Sequence, residues 1–260
     1  MKKILIFSVL FIAICSFTAQ ERKVKILIAG DSTAQTYKEA KDGLIKGWGQ
    51  MLPEFLNDKV QVSNHAMGGR STKTFIEEGR WERLLGEVEP GDYVFIQFGH
   101  NDASTRPERH ASYEDYKKNL ERFVDDVRAK GGNPVLLTSV VMRTFNERGH
   151  LVDDRLKGYP VITRLVAKEK NVPLIDVNLK TRDFITMLGD KASIPYYRWV
   201  EPGVDHAKPD GLKDDTHMME KGARNVAYFV AEGIKNLQLK GLSENVNLFN
   251  PKMNETHSLE

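Results

Sequence analysis

Val24-Lys25-Ile26-Leu27-Ile28-Ala29-Gly30-Asp31-Ser32-Thr33 (VKILIAGDST) joins a near-continuous apolar run to a short polar turn. Apolar runs of this length suit a strand covered on both faces, which is the pattern of a parallel sheet. Four further runs share its character: Val60–Asn64, Tyr93–Phe98, Pro134–Val140 and Val172–Asp176. Between and after them lie helix-period segments. Tyr113, Tyr116, Leu120, Phe123, Val124 and Val127 fall on one helical face, and Ala223, Val226, Ala227, Val230, Ile234 and Leu237 on another. Strand and helix alternate along the chain, which predicts a five-stranded parallel sheet between helical layers in one α/β domain over residues 20–260. Trp48 and Trp81 sit in helical patterns and are expected in the core or lining a groove. The segments 144–159 and 193–215 are polar, poorly periodic and expected to be long loops.

Ligands of an open parallel sheet bind beyond the carboxyl ends of its strands, so the residues that follow each strand matter most. After the first come Gly30-Asp31-Ser32-Thr33. A serine there can present its hydroxyl to a crevice, although these residue types also form turns and helix caps. After the second come Asn64-His65-Ala66-Met67-Gly68-Gly69-Arg70-Ser71. Paired glycines allow a backbone N–H to approach a ligand, or simply serve a loop that needs positive φ. After the third come Gly99-His100-Asn101-Asp102. An asparagine amide can donate to a developing oxyanion, or close an Asx turn. Before the last helix stands Asp214-Asp215-Thr216-His217. A histidine can serve as base to a serine, and a carboxylate three residues earlier can hold its second ring nitrogen. Asp214 is the favoured partner, with Asp215 adjoining it. His65, His110, His150, His206 and His257 read as packing or surface residues.

Each element alone is weak. Ser32, Gly69, Asn101 and His217 falling at successive loops on one sheet edge are together far more specific. These blocks resemble those of the SGNH (GDSL-type) hydrolases. GDST, GGRS, FGHND and DDTH followed by GA look like the rhamnogalacturonan acetylesterase branch of carbohydrate esterases, over about residues 24–237. The resemblance implies a flavodoxin-like three-layer α/β/α sandwich. It also implies Ser32 as nucleophile, His217 as base and Asp214 as orienting carboxylate. The N–H groups of Ser32 and Gly69 and the amide of Asn101 would form the oxyanion hole. It implies a serine acetylesterase acting on an acetylated pectic carbohydrate, with no metal or cofactor. A thioesterase or lysophospholipase of the same superfamily and an inactive carbohydrate-binding homologue are the alternatives. An intact Ser32, Asp214 and His217 argues against decay, and polar loops around the site argue against a long acyl groove.

For substrate contacts the sequence offers Arg70, whose guanidinium can pair with a uronate carboxylate or brace its loop. His100 is a further candidate. Trp199, with Tyr196 and Tyr197 nearby, can stack on a sugar or pack within its loop.

Composition bounds these readings. A chain of 260 residues that is 40% hydrophobic and 28% charged suits a globular domain. Residues 1–19 open with Lys2 and Lys3 and continue into a short apolar run, the pattern of an export leader cut near Ala19. Phe17 is large for the position three before that cut. Cys15 is the only cysteine, so a chain trimmed there has no disulfide, thiolate site or cysteine nucleophile. Lipidation at Cys15 is a weaker reading, since Ile14 is poorly suited to precede it. Formal charge is +2, and loss of Lys2 and Lys3 leaves the rest balanced. With no basic stripe, nucleic acid is not an expected partner; nor is a membrane once the leader is removed. A periplasmic or extracellular location is expected.

Overall fold

The computed structural model describes residues 22–152 and 155–249. The expected leader and His257 lie outside them. Five strands form one parallel sheet: β1 (Val24–Gly30), β2 (Val60–Asn64), β3 (Tyr93–Gln97), β4 (Asn133–Leu137) and β5 (Leu174–Ile175), in the order β2-β1-β3-β4-β5. Four strands lie close to the runs read from the sequence, and β5 is shorter than its run for local reasons. Pro173 has no N–H to give to a ladder, and Asp176 is already committed as an N-cap, accepting from the Leu179 N–H at 3.2 Å. Because β5 is so short, β4 loses its outer partner after Leu137, and Thr138–Val140 run on beyond the sheet.

The helices are α1 (Glu39–Asp42), α2 (Trp48–Met51), α3 (Thr72–Glu77), α4 (Arg80–Leu85), α5 (Tyr113–Ala129), α6 (Tyr159–Glu169), α7 (Val177–Ser193) and α8 (Glu220–Asn236). Alternation along the strands sends residues to opposite faces. Ile26, Ile28, Phe95, Val135 and Leu137 pack with Trp48, Leu52, Phe55 and the apolar face of α8. Leu27, Ala29, Val94, Ile96 and Leu136 pack with Phe75, Trp81, Tyr116 and Phe123 from α3, α4 and α5. Burial of such side chains stabilises by roughly 1.5–3 kcal/mol each. These are the three layers expected of the fold, and both tryptophans are core. Tyr113 departs from expectation. It opens α5 but is 47% exposed, because the apolar stripe begins only at Tyr116.

The segment 193–215 is not simply a loop. It contains β6 (Tyr197–Val200), which pairs antiparallel with β7 (Leu212–Met218). This ribbon is anchored through Tyr196, Tyr197, Val141 and Ile185, a third small cluster at the carboxyl edge of the sheet. The chain passes from β1 outward to β2 and returns to β3 on the other side, so a crevice opens between the loops that follow β1 and β3.

Candidate active site

The turn after β1 is held from behind. Asp31 is buried, and one carboxylate oxygen accepts from the Thr33 N–H at 2.9 Å and the Thr33 hydroxyl at 2.8 Å. Thr33 in turn accepts from the Gln97 amide at 3.1 Å, while Trp48 donates to Gln97 Oε1 at 2.6 Å. Burial alone raises the Asp31 pKa, but the His100 ring and the Thr33 donors outweigh it and hold the carboxyl below its ordinary value. The neighbouring Ser32 is 9% exposed, at the floor of the crevice.

Ser32 Oγ lies 2.9 Å from His217 Nε2, and His217 Nδ1 lies 2.7 Å from Asp214 Oδ2. In a regular strand, residues three apart point to opposite faces, so β7 must deviate to bring Asp214 and His217 together. It does so through a bulge. Arg198 pairs with Asp214, and the next residue back on β6, Tyr197, pairs with Met218. Asp215, Thr216 and His217 therefore loop out of the ladder, with Asp214 Oδ1 accepting from the Thr216 N–H (2.8 Å) and the His217 N–H (3.0 Å). Bulges commonly re-aim side chains beside active sites. Asp214 is partly buried, which raises its pKa. The hydrogen bond and charge of His217, with the two backbone donors, overcome this and bring it down to about 2.

The two adjacent aspartates have different partners. Asp215 turns away to accept from Arg143 Nη1 and Trp199 Nε1, both at 2.8 Å. Arg143 is buried, bonds Ser193 Oγ at 3.0 Å and also pairs with Asp190.

Gly69 adopts φ +80°, a left-handed conformation that disfavours any residue with a Cβ. Asn101 is buried; its amide donates to the Arg70 carbonyl at 3.0 Å, tying the loop after β3 to the loop after β2. An amide carries two N–H bonds, which leaves a second for a ligand. Among the described residues, the N–H groups of Ser32 and Gly69 donate to no protein acceptor. Arg109, which carries no local signal in the sequence, donates to Asn101 Oδ1 at 3.0 Å and so fixes which way the amide points.

The three substrate-contact candidates have protein partners. Arg70 bonds both Glu78 oxygens (3.1 and 3.0 Å) and the Gly68 carbonyl (2.8 Å), bracing its loop. His100 Nδ1 lies 3.3 Å from Asp31 Oδ2, and its Nε2 is buried without a partner. The Trp199 ring carries the Arg143 guanidinium at 4.6 Å and Lys213 Nζ at 5.2 Å. Taken together, a hydroxyl, an imidazole, a carboxylate and unengaged N–H donors on one sheet edge can carry nucleophilic acyl transfer.

Residues 28–224 match the model of the GDSL-like lipase/acylhydrolase family. The rhamnogalacturonan acetylesterase RhgT of Bacillus subtilis is 39% identical over 219 residues, covering 84% of this chain and 93% of its own. Among solved structures, the YxiM protein of Bacillus subtilis superposes with a TM-score of 0.71 at 28% identity, over 84% of this chain; the chain spans 58% of that one. The acetylxylan esterase Axe2 from Geobacillus stearothermophilus shares the fold, with a TM-score of 0.60 at 17% identity over 81% of this chain and 94% of its own. The chain belongs to the GDSL-like lipase/acylhydrolase family and is a carboxylic ester hydrolase.

Proposed function

We propose that this protein is an exported serine esterase that removes acetyl groups from a plant cell-wall carbohydrate, with acetylated rhamnogalacturonan as substrate. The observation that carries the reading is the unbroken chain from Ser32 Oγ through His217 to Asp214, at 2.9 and 2.7 Å. The substrate reading is supported by the rhamnogalacturonan acetylesterase that matches most of this chain, and the export reading by the pattern of residues 1–19.

Ser32 Oγ attacks the acetyl carbonyl carbon as its proton passes to His217 Nε2. Asp214 holds the other ring nitrogen protonated and balances the imidazolium charge. The carbonyl oxygen becomes an oxyanion among the N–H groups of Ser32 and Gly69 and the free N–H of Asn101. The bond to the sugar oxygen then breaks, and the sugar hydroxyl leaves with the proton from His217. Water, deprotonated by His217, attacks the acetyl-serine, and acetate departs as Ser32 regains its proton.

Acetate release from acetylated rhamnogalacturonan, with p-nitrophenyl acetate and a long-chain analogue as controls, tests the reading. Wild-type protein should release acetate and prefer the short ester. Ser32→Ala should retain only background turnover, and a serine-directed phosphonate should label Ser32. Preference for the long chain, or labelling elsewhere, would overturn it.

A further inference from the structure

The loop that leaves Asn101 has a second face. Beyond the oxyanion side, residues 103–107 with His110 and Ser112 form one wall of a groove of about 950 Å³, near the upper end of the usual 300–1,000 Å³ range of ligand sites. Among the described residues its lining includes Arg106, His110, Tyr113, Arg155, Lys157 and Tyr159, and no carboxylate. The groove is fastened to the site: the Tyr159 hydroxyl lies 3.0 Å from the Asp102 carbonyl and 2.6 Å from the Ala111 carbonyl, and His110 Nδ1 lies 2.9 Å from the same Asp102 carbonyl.

The charged side chains that line it among the described residues are of one sign. Several buried or half-buried arginines elsewhere are matched to carboxylates: Arg143 to Asp215, Arg164 to Asp176, Arg198 to Asp205 and Arg224 to Glu54. Among the described residues, Arg106, Arg155 and Lys157 have no such partner. Lys157 moreover sits at φ +38°, a left-handed backbone that disfavours a non-glycine residue. Several unpaired cations in one concavity concentrate anions there, and guanidinium groups match carboxylates in geometry as well as charge. Tyr113 adds a half-exposed ring, set edge-on against Tyr159 at 4.9 Å. The smaller groove beside Trp199 differs, because Glu201 and Asp210 stand there with Lys213.

We propose that the basic groove is a subsite for an acidic saccharide, holding a uronate unit of the chain whose acetylated sugar lies at Ser32. The proposal rests on the esterase reading for the polymer that enters, but its test does not depend on turnover.

The Ser32→Ala protein is titrated by calorimetry with a saponified rhamnogalacturonan oligosaccharide and with the same oligosaccharide after its carboxyl groups are reduced to alcohols. The acidic form should bind at least tenfold more tightly, and its affinity should fall as salt rises from about 0.02 to 0.3 M, where screening shortens from tens of ångströms to a few. Combining Arg106→Gln, Arg155→Gln and Lys157→Gln should remove that preference while the melting temperature stays at the parent value. Equal affinity for the two oligosaccharides, no binding of either, or full affinity in the folded triple variant would each overturn the subsite. Acetate release by the wild-type protein is scored separately, so binding without release would sink the esterase reading and leave the groove standing.

Discussion

Asp214 and Asp215 are neighbours in sequence with opposite environments, and the difference dictates what each substitution should do. Asp214 alone reaches His217, so Asp214→Asn keeps the size but presents the wrong group to Nδ1. In comparable triads this change costs roughly 10⁴ in kcat, and a similar loss is expected here with little change in melting temperature. Asp215 instead accepts from Arg143 and Trp199. Asp215→Asn should lower stability while activity stays within roughly tenfold of wild type, since charge-assisted bonds contribute about 1.5–3 kcal/mol. Steady-state kinetics beside thermal melts separate the two, and the reverse pattern would exchange their roles. Asn101→Ala removes one N–H donor from the crevice. The expected loss is about 10²–10³ in kcat, or roughly 2.7–4 kcal/mol of transition-state binding. Wild-type turnover in a folded Asn101→Ala protein would take Asn101 out of the reaction. Arg109, bonded to the far end of that amide, shows why such a site is only partly legible: an arginine in a polar loop looks the same in sequence whether it faces water or an asparagine.

At the scale of elements, what could be read depended on whether a segment's own residues determine its structure. β1 and β3 announce themselves because every residue from Ile26 to Ala29 and from Tyr93 to Gln97 is buried. β7 (LKDDTHM) does not, since it has almost no apolar run and acquires its shape from β6 and from a bulge held by Asp214 itself. Helix α7 was equally hidden: its periodicity is weak, and Gly189 interrupts it at φ +75°. Tyr113 shares the apolar register of α5 in the sequence, although that register meets the core one turn later. The ribbon's dependence on its neighbours leads to a test. A Cβ on Gly222, in the first turn of α8, would stand 1.9 Å from the Tyr196 carbonyl oxygen. That atom belongs to backbone just before β6, so Gly222→Ala must push the helix and the ribbon apart. Overpacking of this kind costs typically 1–3 kcal/mol, or several degrees in melting temperature for a chain of this size. Because β7 carries Asp214 and His217, kcat should fall as well. An unaltered melt and unaltered kcat would mean that the ribbon is not seated against α8.

Across the whole molecule, the sheet order places the ends of β1 and β3 side by side, and the groups packed behind that edge tie stability to pH in opposing ways. Asp214, held at about pKa 2 against an ordinary 3.8, contributes stability that is complete above about pH 4 and lost as pH falls toward 2. Asp102 does the reverse. It is fully buried, and loss of hydration lifts its pKa to about 7 even though one oxygen accepts from the Thr72 N–H at 2.9 Å and the Thr72 hydroxyl at 2.6 Å. Its other oxygen has no partner. The folded protein therefore binds this proton more tightly than the unfolded chain, and stability falls as pH rises from about 4 through 7. A change of three pKa units corresponds to a few kcal/mol at most. Asp102→Asn keeps an acceptor for Thr72 and cannot ionise. Subtracting its melting profile from that of the wild type between pH 5 and 8 cancels contributions from other titrating groups and isolates this one. The wild type should lose several degrees over that range relative to the variant. Parallel profiles would mean that Asp102 is ionised in the folded protein throughout, with its buried oxygen charged beside the catalytic edge.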